Sequence, residues 1–357
     1  MMQRKTNPFG LVLLCALFAA FAGCAEQENT AVDTAETNNS AAPVAPAATF
    51  DEFKITNITG DLYLAQTRIH STVFLVTTDG VIMSDPIQAD FAEWLKAEIM
   101  SRFNTTVKYV LYSHHHPDHA AGGSIFADTA TYIGHEQMAV MLGGALPNNA
   151  VVQDVNGNGT IERAEARGPY GNANNFASID YFASFDADGD GSISGTEIHA
   201  GTHPIDIAYN DHMTVTLGDS TVEILHSIPT HSEDMSVLYF PEQRAAFGVD
   251  FVGVQRFPGD LAGAPVDQYL AALEQMNALD FDILIPGHGT PGTKADLEGF
   301  ISFLQTSESE VSAAIAAGQT LEEAKESVML EDFSGWSLYE LRRANFVGEM
   351  YSILSAN

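Results

Sequence analysis

The stretch LYSHHHPDHAAGG, residues 111–123, contains four histidines and an aspartate within six consecutive residues. The whole chain has only 12 histidines in 357 residues, so a third of them lie here. The apolar run TTVKYVLY leads into the stretch and predicts a buried strand that ends at the histidines. A cluster of this kind is either a solvated turn or half of a metal site, and the rest of the chain decides between the two.

The order of the side chains in this stretch favours a metal site. His114, His116, Asp118 and His119 have the spacing His-x-His-x-Asp-His. Imidazole nitrogens and carboxylate oxygens are ligands that zinc binds in proteins, and a catalytic zinc needs three protein ligands. More His, Asp or Glu residues must therefore follow later in the chain if this stretch binds a catalytic metal.

Three further candidate ligands follow apolar runs that predict strands. His231 comes shortly after TVEILHSI, Asp250 directly after AAFGV, and His288 directly after DILIPG. Strands mixed with helices, such as the predicted helix from Asp90 to Phe103, indicate the α/β class. Because functional sites of α/β sheets lie at strand ends, we expect these side chains to converge.

These motifs, in this order, resemble the metallo-β-lactamase superfamily over residues 50–357, apart from one insertion. The resemblance implies an α/β fold that is a four-layer αββα sandwich. It also implies a dinuclear zinc site in which the seven candidate ligands have distinct positions. One zinc ion would be held by His114, His116 and His231, the other by Asp118, His119 and His288, with Asp250 as the bridge.

The function implied by the resemblance is metal-dependent hydrolysis. Two ions that share a water lower its pKa and produce a metal-bound hydroxide, which attacks the substrate. Asp118 is the candidate catalytic residue, because it could orient the hydroxide and carry its proton. Asp85 is a candidate partner for a metal-bound imidazole. His115 and His70 lie off the pattern and are not predicted to be ligands.

The charge of the chain narrows the substrate class. Lys and Arg number 15 against 47 Asp and Glu, which gives a net charge of −32 and disfavours nucleic acids and phosphate-rich substrates. We therefore expect a small molecule with an ester, lactone, lactam or thioester bond. Two alternatives stay open: an iron-dependent enzyme like the sulfur dioxygenases, since the same ligands bind iron, and a calcium-dependent binding protein on this scaffold.

The insertion contains two stretches, DVNGNGTIERAE at 154–165 and DADGDGSISGTE at 186–197, that match the twelve-residue EF-hand loop. Oxygen-bearing residues occupy positions 1, 3 and 5, glycine position 6 and glutamate position 12. Ile161 and Ile193, at position 8, predict a short β contact between the loops. The predicted ligands for up to two Ca²⁺ are Asp154, Asn156, Asn158, Thr160 and Glu165, and Asp186, Asp188, Asp190, Ser192 and Glu197.

The segments around these loops predict a structural lobe. LPNNAVVQ before the first loop is a poor helix, and the chain after the second loop breaks at Gly201 and Pro204. A calcium sensor needs full helices to open a groove. We therefore expect a calcium-stabilised lobe near the mouth of the metal site, with a dockerin-like docking role as the alternative.

The N-terminus predicts a lipid-anchored precursor. Two basic residues precede an apolar run that is too short to span a membrane and is typical of a signal peptide. FAGC resembles the lipobox of bacterial lipoproteins, which makes Cys24 the predicted lipidation site, although ordinary cleavage nearby is the alternative. Ala25 after this cysteine favours, by the same resemblance, the outer membrane facing the periplasm.

The patterns divide the chain into four parts. Residues 1–23 are the predicted signal peptide, and residues 24–49, poor in bulky apolar side chains, are a flexible linker. Residues 146–202 are the EF-hand-like insertion, and 50–145 with 203–357 form the metallo-β-lactamase-like domain. We expect membrane contact through the lipid anchor alone and no nucleic acid partner. The oligomeric state stays open.

Overall fold

A computed structural model describes residues 53–68, 70–146, 148–151, 153–167 and 181–356. The predicted signal peptide, the linker and the lipidation site at Cys24 lie outside these residues. Within the described part of the chain, none of the helices is both long enough and apolar enough to cross a membrane.

In the described part of the chain, fifteen strands form two large sheets and one small one. The first sheet comprises β1 Lys54–Thr59, β2 Leu62–Gln66, β3 Ser71–Thr77, β4 Gly80–Met83, β5 Val107–Leu111, β6 Thr131–His135 and β9 Ile207–Tyr209. The second comprises β10 His212–Leu217, β11 Ser220–His226, β12 Ser236–Phe240, β13 Ala245–Val249, β14 Ile283–Pro286 and β15 Gly292–Thr293. The small sheet pairs β7 Thr160–Glu162 with β8 Ser192–Ser194.

Ten α-helices within the described residues connect or cover these strands. They are α1 Ala89–Phe103, α2 Pro117–Ala120, α3 Glu136–Met141, α4 Asn148–Val151, α5 Tyr181–Phe185, α6 Gly195–Ile198, α7 Val266–Asn277, α8 Lys294–Ala316, α9 Leu321–Ser327 and α10 Tyr339–Ser355.

The two large sheets pack face to face on a shared apolar core. Successive side chains of a strand point to opposite faces of its sheet, and β3 shows the consequence. Val73 and Leu75 lie in the core between the sheets, whereas Phe74 lies in a second core on the outer face. The second sheet contributes Ile224 and Phe247 to the shared core.

Helices cover both outer faces. Phe91 and Leu95 of α1 pack in the outer core of the first sheet, which confirms the predicted helix and its buried stripe. Leu273 of α7, Phe303 of α8 and Phe346 of α10 belong to the core of the second sheet. The order helix, sheet, sheet, helix confirms the predicted four-layer α/β sandwich, and the C-terminal helices form its last layer.

The insertion has its own small apolar cluster. Ile161 pairs with Ile193 across β7 and β8, and both are fully buried together with Phe182 and Ile198. The predicted β contact between the two loops is therefore present. The helices beside it are short: α4 and α6 have four residues each. A core of this size orders the loops, and among the described residues of the insertion no helix has more than five residues.

Phe247→Ala tests the core between the sheets. Phe247 is 0% exposed, so its truncation leaves a cavity and should lower the free energy of unfolding by about 3–5 kcal/mol. The control is Leu341→Ala, because Leu341 is 72% exposed and its loss should change stability by no more than about 0.5 kcal/mol. Urea unfolding followed by circular dichroism measures both, and equal effects would contradict the placement of Phe247.

Candidate metal centre

The histidine cluster forms a tight turn at the end of β5. Pro117 occupies the first position of α2, where its fixed φ is suited to a helix and its missing N–H costs nothing. The amides of His119 and Ala120 both donate to the carbonyl of His116 at 3.0 and 2.9 Å. This single helical turn brings side chains separated by two and three residues to the same side.

The first group of candidate ligands joins the turn to a distant loop. The ligand atoms of His114, His116 and His231 all lie within 4.8 Å of one another, with His231 Nε2 2.9 Å from His116 Nδ1. Burial, and next the neighbouring imidazoles, lower the pKa of His114 and His116 well below the ordinary value. Both rings are therefore neutral at pH 7 and have lone pairs for a metal ion.

The second group consists of Asp118, His119, Asp250 and His288, whose ligand atoms also lie within 4.8 Å of one another. His119 Nε2 is 3.2 Å from Asp250 Oδ1, and His288 Nε2 is 3.3 Å from Asp250 Oδ2. Asp118 Oδ2 is 3.7 Å from each of the two imidazole nitrogens. Tetrahedral ligands about 2.0–2.2 Å from zinc are separated by roughly 3.4 Å, so the spacing fits such an ion.

Asp250 lies between the two groups. Its Oδ2 is also 3.6 Å from His231 Nε2 and 4.0 Å from His114 Nε2. Burial disfavours its charged form, but His119 and His288 lower its pKa well below the usual value. The structure thus places a charged carboxylate where the resemblance to the superfamily implies the bridging ligand.

The donor set fits a pair of metal ions. His114 Nε2, His119 Nε2 and Asp250 Oδ1 are buried and have no hydrogen-bond partner among the described residues, and buried polar atoms ordinarily have one. Burial opposes the charged form of His119, yet Asp250 and Asp118 raise its pKa well above the ordinary value. A proton therefore occupies His119 in the metal-free protein, and metal binding would release it.

Asp85 contacts one candidate ligand directly and another through Ser113, as the sequence predicts for a partner of a metal-bound imidazole. Its carboxylate accepts hydrogen bonds from the Ser113 amide at 2.8 Å and the Ser113 hydroxyl at 2.6 Å. Its Oδ2 also lies 3.4 Å from His119 Nδ1, and the Ser113 hydroxyl lies 3.0 Å from His114 Nδ1. One fully buried carboxylate thereby orients an imidazole of each group.

Backbone geometry holds Asp250 in place at a cost. The preceding residue, Val249, has φ 42°, which is a strained conformation for a β-branched residue and is typical of functional sites. The Gly287 amide donates to the Val249 carbonyl at 2.8 Å and holds this turn. A Cβ on Gly287 would collide with Asp250 Oδ1 and lie 3.0 Å from His119 Cε1, so only glycine fits there.

His70 belongs to this site although the sequence analysis left it out. Its Nε2 is 3.3 Å from Asp118 Oδ2, and its ring centroid is 4.8 Å from that of His288. A β-bridge joins His70 to His288. The spacing of the motifs carried no signal for His70. The sequence did contain one indication that His70 is a site residue. It directly precedes a predicted buried strand, and functional side chains of α/β sheets lie at strand ends.

His115 points to a different set of residues. Its Nδ1 hydrogen-bonds Asp234 at 2.8 Å, and its ring packs against His199 of the insertion with centroids 5.6 Å apart. Both histidines are buried. Because His115 stands between His114 and His116, this contact connects the insertion to the turn that carries these two candidate ligands, which we call the metal-binding turn.

The predicted calcium ligands lie in two closed loops. In the second, the carboxylates of Asp186, Asp188 and Glu197 have oxygens within 4.8 Å of one another, a group that could hold a metal ion. Asp190 Oδ1 accepts from the Ser192 amide at 2.8 Å. In the first loop, hydrogen bonds from Gly159 to Asp154, from Asn156 to Glu165 and from Thr160 to Asn158 close the turn.

Comparison with known proteins agrees with the fold. Residues 67–288 match the family model of the Metallo-beta-lactamase superfamily, and this range contains all seven candidate ligands. The chain therefore belongs to this superfamily. A solved structure, the metallo-beta-lactamase from Pontibacter korlensis, is similar to it with a TM-score of 0.50 and 16% identity, over 71% of this chain and 99% of that one. That likeness concerns the fold alone. No curated protein matches the chain.

Gly287→Ala tests the geometry around Asp250. The added methyl group must displace Asp250 or His119, so we expect loss of metal from the group that contains Asp118 and His288. Metal content after dialysis, measured by plasma mass spectrometry, should fall to half of the wild-type value or lower. Gly299→Ala is the matched control, since a Cβ there has no heavy atom within 4 Å. Full metal content in Gly287→Ala would contradict the inference that Asp250 and His119 need the space that glycine leaves at this position.

Proposed function

We propose that this protein is a metal-dependent hydrolase with two zinc ions in one pocket. The observation that supports it is the position of Asp250, whose two oxygens approach imidazoles of both ligand groups at 3.2–4.0 Å. His114, His116 and His231 would hold one ion, and Asp118, His119 and His288 the other. Two such ions would lower the pKa of a shared water and polarise the substrate carbonyl.

The two aspartates of the pocket differ in their access to solvent. The Asp118 side chain is 43% exposed, whereas that of Asp250 is 6% exposed. Only Asp118 is therefore placed to exchange a proton with a substrate or solvent. His70 contacts its Oδ2 and would orient the carboxylate. We therefore propose that Asp118 transfers the proton and that Asp250 only binds the metal ions, and the difference in exposure supports this division.

The proposed substrate is an ester, lactone, lactam or thioester, because the net charge of −32 disfavours phosphate-rich compounds. We also propose that the enzyme acts in the periplasm, anchored to the outer membrane through a lipid on Cys24. Support for this location comes from the signal-like N-terminus and the FAGC sequence.

Metal analysis combined with a substrate panel tests the proposed function. We expect about two zinc ions per chain and hydrolysis of nitrocefin, a lactone or a thioester, but not of a phosphodiester. Asp118→Asn should lower kcat by about 10²–10⁴-fold, and its metal content should be measured in parallel. Asp128→Asn, at an exposed ion pair with Lys96, is the control.

The outcomes of this experiment are distinct. Iron in place of zinc, with oxygen consumption and no hydrolysis, would replace the hydrolase with the dioxygenase alternative. A chain that takes up calcium but no zinc or iron would instead be a binding protein on this scaffold.

We further propose that the insertion binds calcium and thereby supports the metal-binding turn. Glu197 is shared between the second loop and α6, where it completes a capping box with Ser194. Two residues later, His199 packs against His115. The Gly201 carbonyl accepts a hydrogen bond from Ser124 at 2.9 Å. A calcium ion at Asp186, Asp188 and Glu197 would therefore order a segment that contacts the turn directly.

Calcium should raise the thermal stability of the protein. At a concentration of 100 times the Kd, one site adds about 2.7 kcal/mol to the free energy of unfolding, which corresponds to a rise in Tm of several degrees. Glu197→Gln should abolish most of this rise, while Glu310→Gln on the exposed side of α8 should retain it. Differential scanning calorimetry with calcium and with EGTA measures the effect, and an equal Tm in both would refute calcium binding.

A further inference from the structure

Two histidines outside the candidate metal centre stack on each other where the two large sheets meet. His135 is the last residue of β6 in the first sheet, and His226 is the last residue of β11 in the second. Their ring centroids are 3.6 Å apart, and the ring planes differ by only 2°. His135 is buried and His226 is partly buried. We call these two residues the stacked pair.

The hydrogen bonds of the stacked pair fit two neutral rings. The carbonyl of Met235 can only accept, so His226 Nδ1, which lies 3.1 Å away, carries a hydrogen and donates it. His135 Nδ1 accepts from the amide of Gln137 at 3.4 Å, so the hydrogen of this ring is on Nε2. Burial, and next His135, hold the pKa of His226 below its ordinary value.

The groups around the stacked pair do not offset the cost of charging it. Among the described residues, the titratable groups that face it are Tyr209 of β9, Asp211 of the next turn, Asp234 of the loop after β11 and Glu136 of α3. Helix α7 contributes the neutral side chain of Gln275, which donates to the His226 carbonyl at 3.4 Å. Asp234 and Asp211 favour a charged His226, but burial and His135 have larger effects on its pKa.

His226 also stands at the base of the loop that carries the candidate ligand His231. This loop comprises residues 227–234, and its ends meet at the carbonyl of Met235. That carbonyl accepts from the amide of Ser227 at 2.8 Å as well as from His226 Nδ1. At the end of the loop, Asp234 hydrogen-bonds His115 of the metal-binding turn at 2.8 Å. Movement of His226 would therefore open the base of the loop and displace His231.

We propose that the stacked pair is a pH-sensitive switch, which holds the loop of His231 in place in a neutral medium and releases it when acid charges both rings. The inference rests on the proposed function, because it names a regulation of the same metal centre. Two like charges 3.6 Å apart disfavour each other strongly. A charged His135 would also lose the hydrogen bond from Gln137 and place a positive charge at the start of α3.

The direction of the pH effect follows from His226. Because folding lowers its pKa, the unfolded chain takes up a proton first when the pH falls below the ordinary value of 6.5. The contribution of His226 to the free energy of unfolding is therefore complete above that pH and decreases below it. Retention of metal at the His231 loop should change in the same direction.

The loss of zinc at two pH values tests the switch. His135→Phe keeps an aromatic ring in the stack but removes a group that takes up a proton. During dialysis against a chelator, the variant and the wild type should lose zinc equally slowly at pH 7.5. At pH 5.5 the variant should lose it about tenfold more slowly, the factor that corresponds to one unit of pKa. Plasma mass spectrometry measures the zinc that remains.

Two controls separate the stacked pair from other histidines. The candidate ligands titrate in the variant and in the wild type alike, so their effect cancels in the comparison. His212→Gln removes an exposed histidine of β10 and should lose zinc at the wild-type rate at both pH values. Faster zinc loss from His135→Phe at both pH values, or equal loss from variant and wild type at pH 5.5, would overturn the inference.

Hydrogen exchange of the unmodified protein needs neither a variant nor catalysis. Amide protection of residues 226–236, corrected for the intrinsic pH dependence of exchange, should fall about tenfold between pH 7.5 and pH 5.5, while that of α8 should stay constant. Constant protection of residues 226–236 would also overturn the inference. If the wild-type protein retains no zinc at pH 7.5, the proposed metal centre fails, whereas the exchange measurement still judges the stacked pair.

Discussion

The site depends on one buried carboxylate, Asp250, among five imidazoles. Its charge is unfavourable in a buried position, and the histidines around it lower its pKa enough to keep it ionised. In turn, the carboxylate attracts a proton to His119 that a metal ion can displace. The strained φ of Val249 and the missing side chain of Gly287 are the structural cost of placing this group between two ligand sets.

The two sheets supply the elements that surround Asp250. β5 of the first sheet leads into the histidine turn, while β13 and β14 of the second end at Asp250 and shortly before His288. The amide of Ser71 donates to the Gly287 carbonyl at 2.7 Å, and this hydrogen bond ties the edges of the two sheets together. The pocket lies where the two sheets meet, and it is held firmly because the sheets share one core and the first sheet has a second core on its outer face.

Charge is distributed unevenly over the molecule. The chain has a net charge of −32, yet five histidines lie around the carboxylates of the candidate metal centre. Two divalent cations would outweigh the charges of Asp118 and Asp250 and make this pocket locally positive within an acidic protein. The insertion adds a third element, because His199 connects its second loop to His115 in the metal-binding turn. A cation bound by the second loop would therefore act on the turn that carries His114 and His116.

Local sequence patterns were sufficient for much of this description. The helix predicted from Asp90 to Phe103 and the strand before the histidines follow from hydrophobic periodicity, which acts over a few residues. The order of the seven candidate ligands pointed to the fold and to a metal site by resemblance. Tertiary structure alone decided that His70 contacts Asp118 and that His199 packs on His115. These features join residues far apart in the chain, and their spacing has no fixed value, because it depends on how separate sheets and loops pack together in three dimensions.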